Sequence, residues 1–405
     1  MPRCFNVLYF IADDLRPEIA AGYGQSHVQT PNIDSLVNSG LTFRRAYSQQ
    51  AVCGPSRASF MTGRRPHRTN VMLTRSGSNF REVGYDVNGP GSKWITMPEH
   101  FKLQNYTTLG GGKTFPFLPK NFDPTSWSTD MVYCPYTRFL MSATTKVSYA
   151  GPCPGFSKPN NPSGPAGAVA VWCALDEPDD HFYDHRLASN TIQRLRYAAE
   201  KYHDSGRTRP FFIQSGFARP HTPWRVPKRF WDLYRTEDLP LAKCRLPPPD
   251  MPGVAWMAHS FFNASTGEAW PLNATHPLPD AVARLARHAY YASVSWLDHQ
   301  IGRVLRELKS LKLEPSTVVV LHGDHGWHLG EHNSWHKYTN FELGTRARES
   351  GSTSNRPQAA AVGFTIAARL LPLPLAVLLL LYSLLHPLLR RSARDPCADA
   401  YRFPR

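Results

Sequence analysis

Three short apolar runs each end in charged side chains, and this recurrence constrains the fold more than any other feature. Val7 to Ala12 runs into Asp13-Asp14, Phe211-Phe212-Ile213-Gln214-Ser215-Gly216-Phe217 stops before Arg219-Pro220-His221, and Val318-Val319-Val320-Leu321 runs into His322-Gly323-Asp324-His325-Gly326. Runs this short and this apolar read as strands buried on both faces, the pattern of a parallel sheet covered by helices. Open α/β sheets place their sites at the carboxyl ends of such strands, so three strand ends deliver polar groups to one candidate site.

Helical signals lie between the runs. Val294, Leu297, Ile301, Val304, Leu305 and Leu308 recur at intervals that fit an amphipathic helix packed on the sheet. Thr30 as a cap, Pro31 at the first helical position and Gly40 as a stop bracket a short helix. The expected fold class is α/β, with a mixed, mostly parallel central sheet flanked by helices. From about 115 to 180 the chain is rich in Pro, Gly and Ser, which reads as long loops, with Cys153–Cys173 as a suggested staple.

After Arg346 the composition changes. Ala347 to Pro357 is polar, and Leu370 to Leu389 is uncharged and long enough to cross a membrane but carries Pro372, Pro374 and Pro387. The expected division is a catalytic domain over 1–346 and a divergent tail over 347–405, foreign to the core; membrane association through that tail is the alternative. The chain opens almost directly on the first strand without a basic, apolar leader, so the true N-terminus is expected to lie upstream.

Lys and Arg total 46 against 31 for Asp and Glu, a formal net charge of +15 that favours a polyanionic partner. Zinc-finger spacing, RNA-binding signatures and a basic heptad region are missing from the sequence, which argues against nucleic acid. Anionic lipid and sulfated sugar remain. Seven cysteines, at 4, 53, 134, 153, 173, 244 and 397, are too dispersed for CxxC zinc sites and too few for a disulfide scaffold. Sequons at Asn105, Asn263 and Asn273 suit a secreted protein.

The most informative stretch is Cys53-Gly54-Pro55-Ser56-Arg57, followed by Ala58-Ser59-Phe60-Met61-Thr62-Gly63-Arg64. Pro55 suits the start of a helix, which puts Cys53 at a helix N-terminus, where free amides and the dipole favour an anion. The adjacent Asp13 and Asp14 repel each other unless cations neutralise them; with Asp324 on a second strand end they make an oxygen-rich site for a hard cation, calcium before magnesium.

The Cys53 stretch resembles the sulfatase signature C-x-P-S-R-x-x-x-x-T-G at every fixed position. The resemblance, over roughly residues 5 to 346, implies an alkaline-phosphatase-like sulfatase core, truncated on its carboxyl-terminal side. It implies that a formylglycine-generating enzyme converts Cys53 to formylglycine. Asp13, Asp14, Asp324 and His325 match metal ligands beside residue 53 for one Ca2+, His325 standing where many sulfatases have Asn. Gly112-Lys113 resembles the family's G-K element, Arg219-Pro220-His221 its P-H element, and Trp335-His336-Lys337 supplies a second lysine. Lys113, Lys337 and His221 would bind sulfate oxygens, His221 would protonate the departing alcohol, and Arg57 would orient the nucleophile. The branch most like Ser48 to Pro66, Tyr291 to Asp298 and Asp324 to Phe341 implies a lysosomal enzyme acting on 2-O-sulfated iduronate at the ends of heparan and dermatan sulfate.

Two departures weigh against full activity. The G-K element is normally followed closely by His, but here Gly112-Lys113-Thr114-Phe115-Pro116 supplies none, and family-like sequence is lost after Arg346. Weak activity or poor folding is therefore expected, with a catalytically impaired protein that binds sulfated glycosaminoglycan as the alternative. A phosphatase or phosphodiesterase of the alkaline-phosphatase superfamily would generally use Ser or Thr with two zinc ions.

Overall fold

Strand β1 (Asn6–Ala12) is buried at every residue except the half-buried Tyr9, as its uninterrupted apolar run requires. Residues 4–17, 23–24, 27–72, 79–115, 123–128, 134–135, 168–170, 172–256, 260–262, 269–271 and 275–352 of the computed structural model are described. The other strands of the main sheet are β2 (Leu41–Tyr47), β3 (Thr107–Gly112), β4 (Cys134–Pro135), β5 (Phe211–Phe217), β6 (Thr317–Gly323) and β7 (Arg346–Ser352).

These seven strands lie in the order β2-β7-β6-β1-β5-β3-β4. Strand β1 pairs in parallel with β6, from Asn6 opposite Thr317 to Ala12 opposite Gly323, and with β5 on its other side. Strand β5 continues in parallel to β3, and β3 to β4. Strand β7 runs antiparallel to both β6 and β2, with an irregularity between Ala347 and Glu349. The sheet is mixed and mostly parallel, and it continues through β7 to Ser352, past the composition change at 346.

The pleat separates two cores. Leu8, Phe10, Phe211 and Ile213 join one with helices α3 (Tyr183–Asp204) and α4 (Asp280–Ser310) and with the apolar side of α1 (Pro31–Ser39); Val7 and Phe212 join Ala58 and Met61 of α2 (Cys53–Thr62) in the other. Alternate side chains of one strand thus bury helices on opposite faces, which explains runs without alternating polarity.

Helix α1 begins at Pro31 and ends before Gly40 as its sequence signals require, but Thr30 does not cap it. Its hydroxyl donates to Asp34 Oδ1 at 3.0 Å instead. The carboxylate of Asp298, on α4, accepts the amides of Asn32 and Ile33 at 3.3 and 2.7 Å and the Asn32 side chain at 2.7 Å. Tertiary packing has taken over a role that local sequence assigns to the preceding hydroxyl.

Cys173 and Cys244 are each disulfide-bonded, and Cys4 and Cys53 are free. Cys153, Asn263, Asn273 and the 370–389 run lie outside the described residues, as does most of the loop-rich region after 115; Asn105 is exposed. Among the described residues no helix is long and apolar enough to cross a membrane.

Candidate active site

Helix α2 begins at Cys53, at the carboxyl end of the sheet, and is buried along its length except at the half-buried Phe60. Gly63 closes it in the left-handed conformation, φ 68°, its amide donating to Ser59 O. Cys53 and Arg57, four residues apart, share the face turned toward the ends of β1 and β6.

Both acidic groups meet the thiol there. Cys53 Sγ lies 3.2 Å from Asp13 Oδ1, 3.9 Å from Asp14 Oδ1, 3.4 Å from His325 Nε2, 3.6 Å from Lys113 Nζ and 3.0 Å from Lys337 Nζ. Lys113 pairs with Asp13 Oδ2, and Lys337 with Asp14 Oδ1 at 2.6 Å. Arg57, fully buried, donates to Asp324 Oδ2 at 3.0 Å and to the Lys113 carbonyl, and stands 3.5 Å from Asp13. His221 reaches in from the turn after β5, its Nε2 3.9 Å from Asp14 Oδ2. All nine residues assigned from the sequence, Asp13, Asp14, Cys53, Arg57, Lys113, His221, Asp324, His325 and Lys337, meet here.

Local backbone geometry delivers them. Gly112 turns out of β3 at φ 77°, which places Lys113 N 2.7 Å from Gly216 O; a Cβ at Gly112 would strike that same carbonyl. Asp14 holds φ 64°, a conformation costing a non-glycine residue on the order of 1 kcal/mol. Its amide is fixed by Asp324 Oδ1 at 3.0 Å and its carbonyl by the Tyr290 hydroxyl at 2.8 Å.

Three carboxylates thus face three permanent cations. Burial opposes ionisation of Asp13, but Lys113, His221, Arg57 and Lys337 outweigh it and hold that carboxyl well below the usual range. Burial pushes Asp14 up to about 7 despite Lys337, with Asp13 and Asp324 adding to the rise. Burial, and next the Asp13 charge, push the Cys53 thiol well above its ordinary value. A thiol held in that state is a poor nucleophile as it stands.

The donor set fits a hard divalent cation. Single ligand atoms of Asp13, Asp14, Cys53 and His325 all lie within 4.8 Å of one another. Asp14 Oδ2 is buried with no hydrogen-bond partner. His325 Nδ1 lies 2.8 Å from Gly326 O, a carbonyl that can only accept, so the proton sits on Nδ1 and the Nε2 lone pair faces the cluster. Burial pushes His325 down to about 4, which keeps it neutral. Asp324 is also held within the cluster: besides Arg57, its Oδ1 accepts the amides of Asp14 and His325 at 3.0 and 3.1 Å.

The model of the sulfatase family matches residues 5–349. The chain belongs to the sulfatase family. Human iduronate 2-sulfatase is 36% identical over 372 residues, covering 87% of this chain and 61% of that protein. The mouse iduronate 2-sulfatase is 35% identical, covering 84% of this chain and 58% of that protein. The chain therefore spans about three fifths of the length of these two sulfatase relatives. Solved structures agree on the fold: a phosphonate monoester hydrolase from Silicibacter pomeroyi superposes with a TM-score of 0.60 at 20% identity over 88% of this chain and 69% of that one. A 2-O GAG sulfatase superposes at 0.52 and 20% identity over 86% and 64%. The alkaline-phosphatase-like sulfatase fold expected from the sequence is the fold observed.

Several supporting residues of this sulfatase site carried no sequence signal. Asp184 on α3 accepts the amides of Ala218 and Arg219 at 2.8 and 3.1 Å and so holds the His221 turn. Arg16, buried behind Asp14, binds Glu331 through two hydrogen bonds at 3.0 and 3.1 Å and the Trp327 carbonyl at 3.1 Å. Each is an isolated polar residue in the sequence; only its buried partner reveals it. After Lys113, Thr114 is buried and Phe115 packs beside Phe80 and Trp127. Pro116 lies outside the described residues.

Proposed function

We propose that this chain hydrolyses sulfate esters of glycosaminoglycans, most specifically the 2-O-sulfate of iduronate in heparan and dermatan sulfate, with residue 53 as formylglycine and one divalent cation, Ca2+, beside it. The observation that carries this reading is the thiol of the signature cysteine, at a helix N-terminus, within 3.9 Å of two carboxylates, an imidazole and two ammonium groups. The names of the two iduronate 2-sulfatases support the substrate, and the +15 net charge is compatible with a polyanion. A lysosomal location is proposed on the same grounds. With Cys53 1% exposed, a formylglycine-generating enzyme would have to act before the chain folds.

Asp13, Asp14, His325 and residue 53 would hold the cation, with Asp324 adjoining. When bound, it supplies positive charge that acidifies and orients the nucleophile. The aldehyde at residue 53 would be hydrated to a geminal diol, one oxygen of which attacks sulfur as the S–O bond to the sugar breaks. Lys113 and Lys337 would stabilise the sulfate oxygens, and His221 would give the departing alcohol its proton. Loss of the proton from the second hydroxyl then breaks the C–O bond to sulfate and restores the aldehyde. Mass spectrometry of the residue 53 peptide, with sulfate and phosphate ester hydrolysis measured with and without chelator, tests this reading; an unmodified thiol throughout, or chelator-resistant phosphate hydrolysis alone, would overturn it.

Burial, and next Lys337 and Lys113, hold His221 well below its ordinary 6.5. A proton donor with a depressed value is charged only in acid, so kcat is expected to fall as pH rises through the range below 6.5. His221→Ala should lower kcat on the order of a hundredfold and flatten that limb; a steep limb surviving in the variant assigns the proton elsewhere.

A further inference from the structure

Asp14 is held by its backbone as much as by its carboxylate. At φ 64° it sits in the left-handed region, which a residue with a side chain leaves unless its surroundings prevent it. Three hydrogen bonds around it do so. Its amide donates to Asp324 Oδ1 at 3.0 Å, its carbonyl accepts from the Tyr290 hydroxyl at 2.8 Å, and that hydroxyl accepts the amide of Arg16 at 2.9 Å. One phenol oxygen, acting as donor and acceptor at once, therefore bridges Asp14 and Arg16 across the buried Leu15 and closes the turn after β1.

Tyr290 is itself fixed. It is 1% exposed on α4, and its ring meets that of Trp224 at 90° with centroids 5.9 Å apart. Arg287, three residues earlier on the same helix, donates to the Leu329 carbonyl at 2.8 Å and stands 3.6 Å from Glu331. Residues three apart share a helix face, so one face of α4 braces both the Asp14 turn and the turn around Leu329.

The cation cluster depends on where the first of these turns puts a carboxylate. Asp14 Oδ1 lies 2.6 Å from Lys337 Nζ and 3.3 Å from His325 Nε2, and Asp14 is one of the four residues whose ligand atoms fall within 4.8 Å of one another. Rotation about the Asp14 backbone would swing its Cβ and carry both oxygens away from that group.

We propose that Tyr290 is a positioning residue for the cation site: its hydroxyl holds Asp14 in the left-handed conformation that aims the carboxylate at residue 53, and cation affinity depends on that hydroxyl. The inference rests on the cation reading above. It assigns part of the site's affinity to a side chain 276 residues from Asp14 that touches no ligand atom of the cluster.

The test uses the full chain stripped with chelator, Ca2+ as the probe, calorimetry for the dissociation constant, and thermal unfolding without metal. Tyr290→Phe keeps the ring and its packing on Trp224, and should weaken Ca2+ binding about tenfold or more. Tyr291→Phe is the control. It removes a hydroxyl from an equally buried neighbour on α4, 3.1 Å from His27 Nε2, and should keep the parent's affinity. Both variants should lose comparable stability, so a role in packing alone would lower both midpoints and leave both affinities at the parent's value. Equal affinity in the parent and Tyr290→Phe, or an equal loss of affinity in both variants, would overturn the role of Tyr290. A parent that takes up no Ca2+ would overturn the cation reading and this inference together. Tyr290-dependent Ca2+ binding in a protein that hydrolyses no sulfate ester would support the positioning role and sink the catalytic reading instead.

Discussion

Cys53→Ser should lose on the order of 10⁴-fold or more in kcat/KM for sulfate ester hydrolysis while keeping the folded state. Serine is close in size, and Cys53 is 1% exposed in a cluster whose contacts are polar, so the fold has little to lose. The chemistry has everything to lose. A serine hydroxyl attacking sulfur would form a sulfate ester with no second hydroxyl on the same carbon, and the enzyme would stall on its own product. Steady-state sulfate release together with the intact mass of the variant after incubation checks this. Wild-type turnover by the serine variant would rule out the geminal-diol route.

Glu331→Ala should destabilise the protein by about 2–3 kcal/mol, although Glu331 makes no contact with Cys53 in the structure. Its carboxylate meets Arg16 through two oxygens at 3.0 and 3.1 Å, the Leu329 amide at 2.7 Å and Arg287 at 3.6 Å. Truncation removes two charge-assisted hydrogen bonds from Arg16, which is 1% exposed. The affected turn lies between His325 and Lys337, so activity should fall with stability. Burial opposes ionisation of Glu331, but Arg16 and Arg287 outweigh it and hold its carboxyl well below the ordinary glutamate value. A depressed carboxylate contributes stability that is present above its unfolded value and lost as pH falls through the folded one, so this bridge persists in mildly acidic solution. Denaturant unfolding of both proteins across acid pH checks the size and the sign; an unchanged midpoint at neutral pH would show that the pair contributes nothing.

The strands, their direction and the identity of the site were legible because each rests on a local pattern. Val7 to Ala12, Phe211 to Phe217 and Val318 to Leu321 are apolar on every face, a pattern that a doubly covered sheet produces, and all three lie in the central parallel part. Polar residues at their ends had to lie at one edge of that sheet. The cysteine signature then gave the family, and a helix start there put Cys53 at a helix N-terminus.

What the sequence by itself determined was which residues reach the carboxyl edge of the sheet; what the tertiary structure decided was what each of them does there. Asp298 displaced Thr30 as the partner of α1, Asp324 turned to bind Arg57 and two amides, and Phe115 went into the core. Arg16, Glu331 and Asp184 came into view only when distant segments met. The physical reason is that strand and helix patterns follow from the periodicity of neighbouring side chains, whereas the state of a buried polar group depends on partners hundreds of residues away, as the 315-residue separation of Arg16 and Glu331 shows.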